Sequence, residues 1–131
     1  MINKNPASAL FVLRLGLAFV FIWFGITQLQ HPLQWISFLP GWVASLPVSA
    51  TSFVLLNGLF EIVAGTLLAI GAWTRLAALL LSIHLFGIAL SMGYNAIAIR
   101  DIGLAIAALA IAVGGAGQFS LDEKADMTNS A

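Results

Sequence analysis

The chain has 131 residues, 61% of them hydrophobic and 8% charged, where a soluble domain carries about 25% charged residues. That is a membrane composition, with room for one compact bundle and little else. Its five basic and five acidic residues cancel, which leaves no polybasic surface for nucleic acid; the absence of cysteine removes disulfides, thiolate metal sites, iron–sulfur clusters and dithiol relays.

A hydrocarbon core about 30 Å thick requires about 20 helical residues, and four segments meet that length: 7–29, 51–71, 75–94 and 97–117. The expected fold is therefore all-α, a bundle of four transmembrane helices. Pro6, Pro32, Pro40 and Pro47 fall outside these spans, and Asn5 followed by Pro6 reads as a cap and a first helical turn. The first span is longer than the apolar stretch of a signal peptide, about 7 to 15 residues, and contains Arg14, so it is expected to stay in the mature protein. Residues 30–50, "QHPLQWISFLPGWVASLPVSA", carry no charge, three prolines and the tryptophans Trp35 and Trp42. This connection is expected along the outer interface, either as a belt of aromatic anchors or as a lid over a cavity between helices. Trp73, Thr74 and Arg75 read as the inner counterpart of that belt. Residues 118–131 are polar and are expected to fray. Four spans put both termini on one side, which holds Lys4, Arg75 and Lys124 against Arg100 on the other, and the positive-inside rule makes that side cytoplasmic.

In lipid, helices associate by close packing and hydrogen bonds, so small and polar residues mark the inward faces. The stripes read Arg14, Ala18, Phe21, Gly25 and Gln28 in the first span, and Asn57, Gly58, Glu61 and Gly65 in the second. In the third they read Ala77, His84, Gly87 and Ser91, and in the fourth Arg100, Gly103, Ala107, Ala110 and Gly114. Spacings of three, four and seven keep each set on one side of its helix. At 1.5 Å of rise per residue, Arg14, His84 and Glu61 share a layer roughly 10 to 15 Å from the inner edge. An Arg14–Glu61 pair with His84 beside it is the expected contact, and Asn57, Gln28, Arg100 and Asp101 form a second polar layer nearer the outside.

An ionised group at the bilayer centre costs about 2.5 to 3.5 kcal/mol on insertion scales and is a functional candidate by default. Structural readings stand beside the functional one. Glu61 can neutralise Arg14 and fix helix register, Arg14 can snorkel, His84 can be a packing histidine, and Asp101 suits a helix entry. No second histidine shares the depth of His84, because His31 lies in the connection, so neither bis-histidine haem within one protomer nor a metal site is expected. The functional reading is a proton-accessible pocket built from Arg14, Glu61, His84, Asn57, Gln28, Arg100 and Asp101. Such a pocket suits a quinone headgroup or a small protonatable solute.

In order along the chain, "RLGLAFVFIWFGITQLQHP", "GLFEIVAGTLLAIGAWTR" and "IRDIGLAIAALAIAVGGAGQFSLD" resemble the DoxX family of small four-span membrane proteins, also termed DoxD-like. The resemblance makes Arg14, Gly25, Glu61, Gly71, Thr74, Arg75, Arg100, Asp101, Ser120, Leu121 and Asp122 family-like positions, with His84 unassigned. It implies a multi-pass protein of the cytoplasmic (inner) membrane, associated with quinone-linked oxidoreductases such as the thiosulfate to quinone type. A shared fold does not transfer a reaction. Lacking cysteine and paired metal ligands, the chain is expected to bind quinone or dock a soluble oxidoreductase rather than to carry electrons unaided. Two other expectations stay open: a small carrier or channel for a solute or protons, acting as a homo-oligomer, and a purely structural membrane anchor.

Overall fold

The computed structural model describes residues 5–130; Lys4, which enters the orientation argument, lies outside them. Four helices are long and apolar enough to cross a membrane: α1 (Pro6–Gln30), α2 (Ala50–Ile70), α3 (Thr74–Ser91) and α4 (Ala96–Gly114). A fifth helix, α5 (Leu121–Asn129), is short and polar. No strand occurs among the described residues.

The helix ends follow local chemistry. Asn5 accepts a hydrogen bond from the Ala7 N–H (3.0 Å) with Pro6 in the first turn of α1, Ser49 caps α2 and Asn95 caps α4. Gly71, at φ 72°, closes α2 in the left-handed conformation that glycine adopts without strain. α4 stops at Gly114, short of the expected residue 117, because Gly115 and Gly117 both take positive φ. The chain then turns back across the bundle. The Gln118 N–H donates to the Ala7 carbonyl (3.2 Å), so the start of α1 and the exit of α4 meet at one end, the terminal end. The 30–50 connection lies at the other, the loop end.

α1 packs most extensively on α2, and α3 on α4, while the two pairs touch each other less. Glycine explains the first pair: a Cβ on Gly25 would stand 2.6 Å from the Gly58 carbonyl oxygen, and one on Gly58 would stand 2.9 Å from the Gly25 oxygen. The buried face of α1, with Arg14, Ala18, Phe21, Gly25 and Gln28, is the face its stripe indicates. In α3 and α4 the expected faces are only partly right: Ala77 is buried, Ala107 packs against the core and His84 lies beside Glu61. Gly87, Ser91, Arg100, Gly103, Ala110 and Gly114 are exposed, whereas Ala78, Leu81, Ser82 and Leu85 of α3 meet Ala98, Asp101, Ala105 and Ala108 of α4 inside the bundle. Alanine is itself small enough for close approach, so in an alanine-rich helix the glycines do not mark the face. A hydrogen bond does: Ser82 Oγ donates to the Ala105 carbonyl (2.8 Å) across the pair.

The tail is ordered rather than frayed. Ser120 Oγ accepts from the Glu123 N–H (3.0 Å) and starts α5. The Asp122 carboxylate accepts from the N–H groups of Trp73 (2.9 Å) and Thr74 (2.8 Å). α3 has no side-chain cap at Trp73, so the tail supplies one, with its negative charge at the positive end of the helix dipole. Burial alone raises the Asp122 carboxyl, but the Thr74 side chain and the Thr74 and Trp73 N–H groups outweigh it and hold its pKa below the usual value. The Thr74 hydroxyl acts by proximity, since it is buried without a partner in hydrogen-bonding geometry.

Two outcomes are expected. Gly25→Ala should lower thermal stability in detergent by about 1 to 3 kcal/mol through overpacking, while Gly16→Ala, with nothing within 4 Å of the added carbon, should not. Because the folded Asp122 pKa lies below its unfolded value, docking of α5 contributes stability above about pH 4 and loses it as pH falls through the folded pKa. Pepsin cleavage within α5 should therefore accelerate as pH drops below that range, and Asp122→Asn should be cleaved fast throughout.

Candidate functional site

Arg14 does not meet Glu61. Its side chain is fully buried, and Nε donates to the Ala116 carbonyl (3.0 Å), Nη1 to Leu68 (2.7 Å) and Ala69 (2.9 Å), and Nη2 to Gln118 (2.9 Å) and Phe119 (3.1 Å). A guanidinium has five N–H donors, so none is left for a carboxylate. Depth counted from the expected span edges misplaces the pair by about two turns, and side chains that lean toward the N-terminus of their own helix widen the separation. α1 and α2 run antiparallel, with Gly25 against Gly58 and Arg14 against Leu68; Arg14 therefore leans to the terminal end and Glu61 to the loop end. There the guanidinium reaches last-turn carbonyls of α2 that have no helical partner. It also satisfies non-helical backbone after α4.

Glu61 is held by neutral groups. Gln28 Nε2 donates to its Oε2 (2.9 Å), and Asn57 Nδ2 donates to its Oε1 (3.2 Å) and to Gln28 Oε1 (2.6 Å), closing a ring of three side chains from α1 and α2. His84 Nε2 stands 3.5 Å from Glu61 Oε1. That nitrogen is buried and makes no hydrogen bond, and the imidazole meets the Phe60 ring edge-on with centroids 5.0 Å apart. Gln28 and Asn57 from one expected layer thus join His84 and Glu61 from the other.

These four side chains line a cavity of about 460 Å³ at the loop end, with walls from all four spanning helices. The connection covers it as two 3₁₀ helices, Pro32–Phe38 and Gly41–Ser45. Trp35 sits edge-on to Phe24 (5.4 Å) and Trp42 to Phe53 (5.8 Å), and all four rings line the cavity. Trp42 also remains 56% exposed, so the connection is a lid that keeps one face toward the surroundings. Arg100 and Asp101 line the same cavity. They pair with each other, Nη2 to Oδ1 at 3.2 Å, and the Arg100 guanidinium lies 5.7 Å from the Phe24 ring centroid. Asp101 is buried and Arg100 exposed. The helix-entry role expected of Asp101 belongs to Asn95.

Chemically, Glu61 and His84 can hold or pass a proton at the cavity wall, while Gln28 and Asn57 fix the carboxylate. Phe24 and Phe53 carry no mark in the sequence that separates them from lipid-facing phenylalanines. Asp122 and α5 did carry one: Ser120 followed by Glu123 is a capping-box pattern.

The DoxX family model matches residues 9–94, more than half of the chain. The chain belongs to the DoxX family. Membership and four apolar helices make this DoxX protein a multi-pass membrane protein. The matched stretch includes Arg14, Gln28, Asn57, Glu61 and His84, and it ends before α4, so Arg100, Asp101 and the "IRDIGLA" segment lie beyond it. No curated protein and no solved structure matches the chain.

Arg14→Leu should destabilise this DoxX protein by about 3 kcal/mol or more, because it strands several buried carbonyls. Glu61→Gln should not rescue it. In a double-mutant cycle by thermal unfolding the two changes should add within about 0.5 kcal/mol, as expected for sites with no shared partner; a clearly larger coupling would show that the two side chains interact.

Proposed function

We propose that the loop-end cavity binds a quinone ring, and that this DoxX protein is the quinone-facing subunit for a soluble oxidoreductase at the cytoplasmic membrane. The observation that carries this reading is His84 Nε2, a buried nitrogen without a hydrogen-bond partner on the wall of an aromatic-lined cavity. A buried polar atom left unpaired costs free energy, and an oxygen on a ligand ring would satisfy it. The volume of about 460 Å³ falls within the range of about 300 to 1,000 Å³ typical of small-molecule sites. Phe24, Trp35 and Trp42 offer faces and edges to a flat ring.

A quinone supplies two-electron, two-proton redox chemistry when bound. The residues handle the protons: Glu61 and His84 each present a protonatable atom beside the ring, Gln28 and Asn57 keep the carboxylate in place, and the lid limits water. With no cysteine in the chain, the electrons come from the partner. The 3₁₀ lid is cavity wall built from the connection outside the spanning helices, and a donor on a soluble protein approaches the ring most closely there.

Quenching of tryptophan fluorescence by added quinone, measured on the protein in lipid nanodiscs, tests the reading. Wild type should show saturable quenching. His84→Phe should weaken it about tenfold, the loss of about 1.4 kcal/mol expected from one hydrogen bond. Glu61→Gln, nearly isosteric, should stay folded and lose partner-dependent quinone reduction. Absence of saturable quenching in wild type sinks the proposal, and proton flux in proteoliposomes that Glu61→Gln abolishes would favour a carrier instead.

A further inference from the structure

The cavity differs between its two open helix boundaries. Between α1 and α4, Arg100 lies over the Phe24 ring and pairs with Asp101, so a charged side chain bridges the boundary. Between α2 and α3, the wall includes Phe53, Ile83, Gly87 and Ile88. Ile83 is 60% exposed, Gly87 is exposed, and a Cβ built on Gly87 meets nothing within 4 Å. Positions 83, 84, 87 and 88 are neighbours on one helix surface, with His84 beside Glu61 and Ile83 facing outward. The cavity lining on α3 therefore includes both the polar floor at His84 and residues exposed on the outer surface of that helix.

Gly87 has no packing reason. A glycine in a helix interior costs about 1 kcal/mol relative to alanine, which close approach of two backbones justifies at Gly25 and Gly58 but not at this open position. What glycine does there is leave this stretch of the cavity rim without a side chain.

We propose that this stretch of rim is a side window through which the ligand enters from the hydrocarbon, its ring turned toward Glu61 and His84 and its tail lying over Gly87 and Ile83. The inference rests on the quinone reading of the cavity and names the ligand class within it: an amphiphile with a long hydrocarbon tail, not a water-soluble quinone. In a membrane-spanning bundle this surface faces lipid. The tail never leaves hydrocarbon, while the polar ring exchanges lipid for hydrogen-bond partners, which lowers the cost of keeping its oxygens in an apolar medium.

The test uses a long-tailed benzoquinone carrying a photoreactive diazirine on its tail, added to the full chain in nanodiscs, with the untagged quinone as competitor. Competable adducts are expected on the α2–α3 lips, around Ile83 and Gly87. Gly87→Phe should cut competable labelling about tenfold, equivalent to about 1.4 kcal/mol of binding. Gly103→Phe, at an exposed position with equal space and no part in the cavity, should leave it unchanged. Competable adducts centred on Val20 and Ile97 of the α1–α4 boundary, or labelling that Gly87→Phe does not reduce, would overturn the window while leaving the quinone site standing. Absence of competable adducts anywhere in the protein would remove the site and the window together.

Discussion

Inside a bilayer no water completes the hydrogen bonds of polar backbone, so any chain that ends a helix or turns at membrane depth must bring its own donors. Arg14 meets that constraint for the terminal end of this bundle. Its five hydrogen bonds join α1 to the last turn of α2 and to the backbone that follows α4. Around that junction Gly71 and Gly117 leave no space for side chains: a Cβ on Gly71 would collide with Ser120, and one on Gly117 with the Ala7 carbonyl. Asp122 then caps α3 from the same tail. The end that holds both chain exits is locked by donors and acceptors that satisfy one another.

The commitment of Arg14 shapes the other end too. A carboxylate denied a cation on α1 is fixed by carboxamides, which orient it without competing for its proton. At the loop end an unpaired polar atom borders open space. His84 Nε2 lacks a partner, the two helix pairs leave a cavity between them, and the connection lies over that cavity without filling it. Dense hydrogen bonding from Arg14 and Asp122 at one end contrasts with an unfilled polar wall at the other. Glycine is used in both senses. Gly25 and Gly58 let backbones touch, whereas Gly87 leaves the cavity rim without a side chain.

The helices were legible because length and apolarity are local properties: Pro6 at the start of α1 and the run without proline through each span required no knowledge of neighbours. The inward face of α1 was also legible, since Arg14, Gln28 and Gly25 share it, while Thr27, off that face, returns its hydroxyl to the Phe24 carbonyl of its own helix. The faces of α3 and α4 were not, because leucine surrounds α3 and alanine surrounds α4, so small residues do not single out one side, and the Ser82 hydrogen bond to the Ala105 carbonyl depends on the partner helix. The Arg14–Glu61 pair failed because the register of α1 on α2 sets Arg14 against Leu68 and Gly25 against Gly58, which leaves Glu61 about two turns away, and antiparallel helices aim the two side chains further apart.

Thus the sequence by itself determined four spans, the local caps of α1, α2 and α4, an uncharged aromatic connection and a small set of buried polar residues, because each depends on composition and on hydrogen bonds a few residues long. Tertiary structure alone decided which of those residues meet. It assigned Arg14 to backbone carbonyls and Glu61 to Gln28, Asn57 and His84, turned the connection into a lid, and docked the tail on α3. Those outcomes depend on helix direction and on contacts between segments far apart in the chain, which no local pattern specifies.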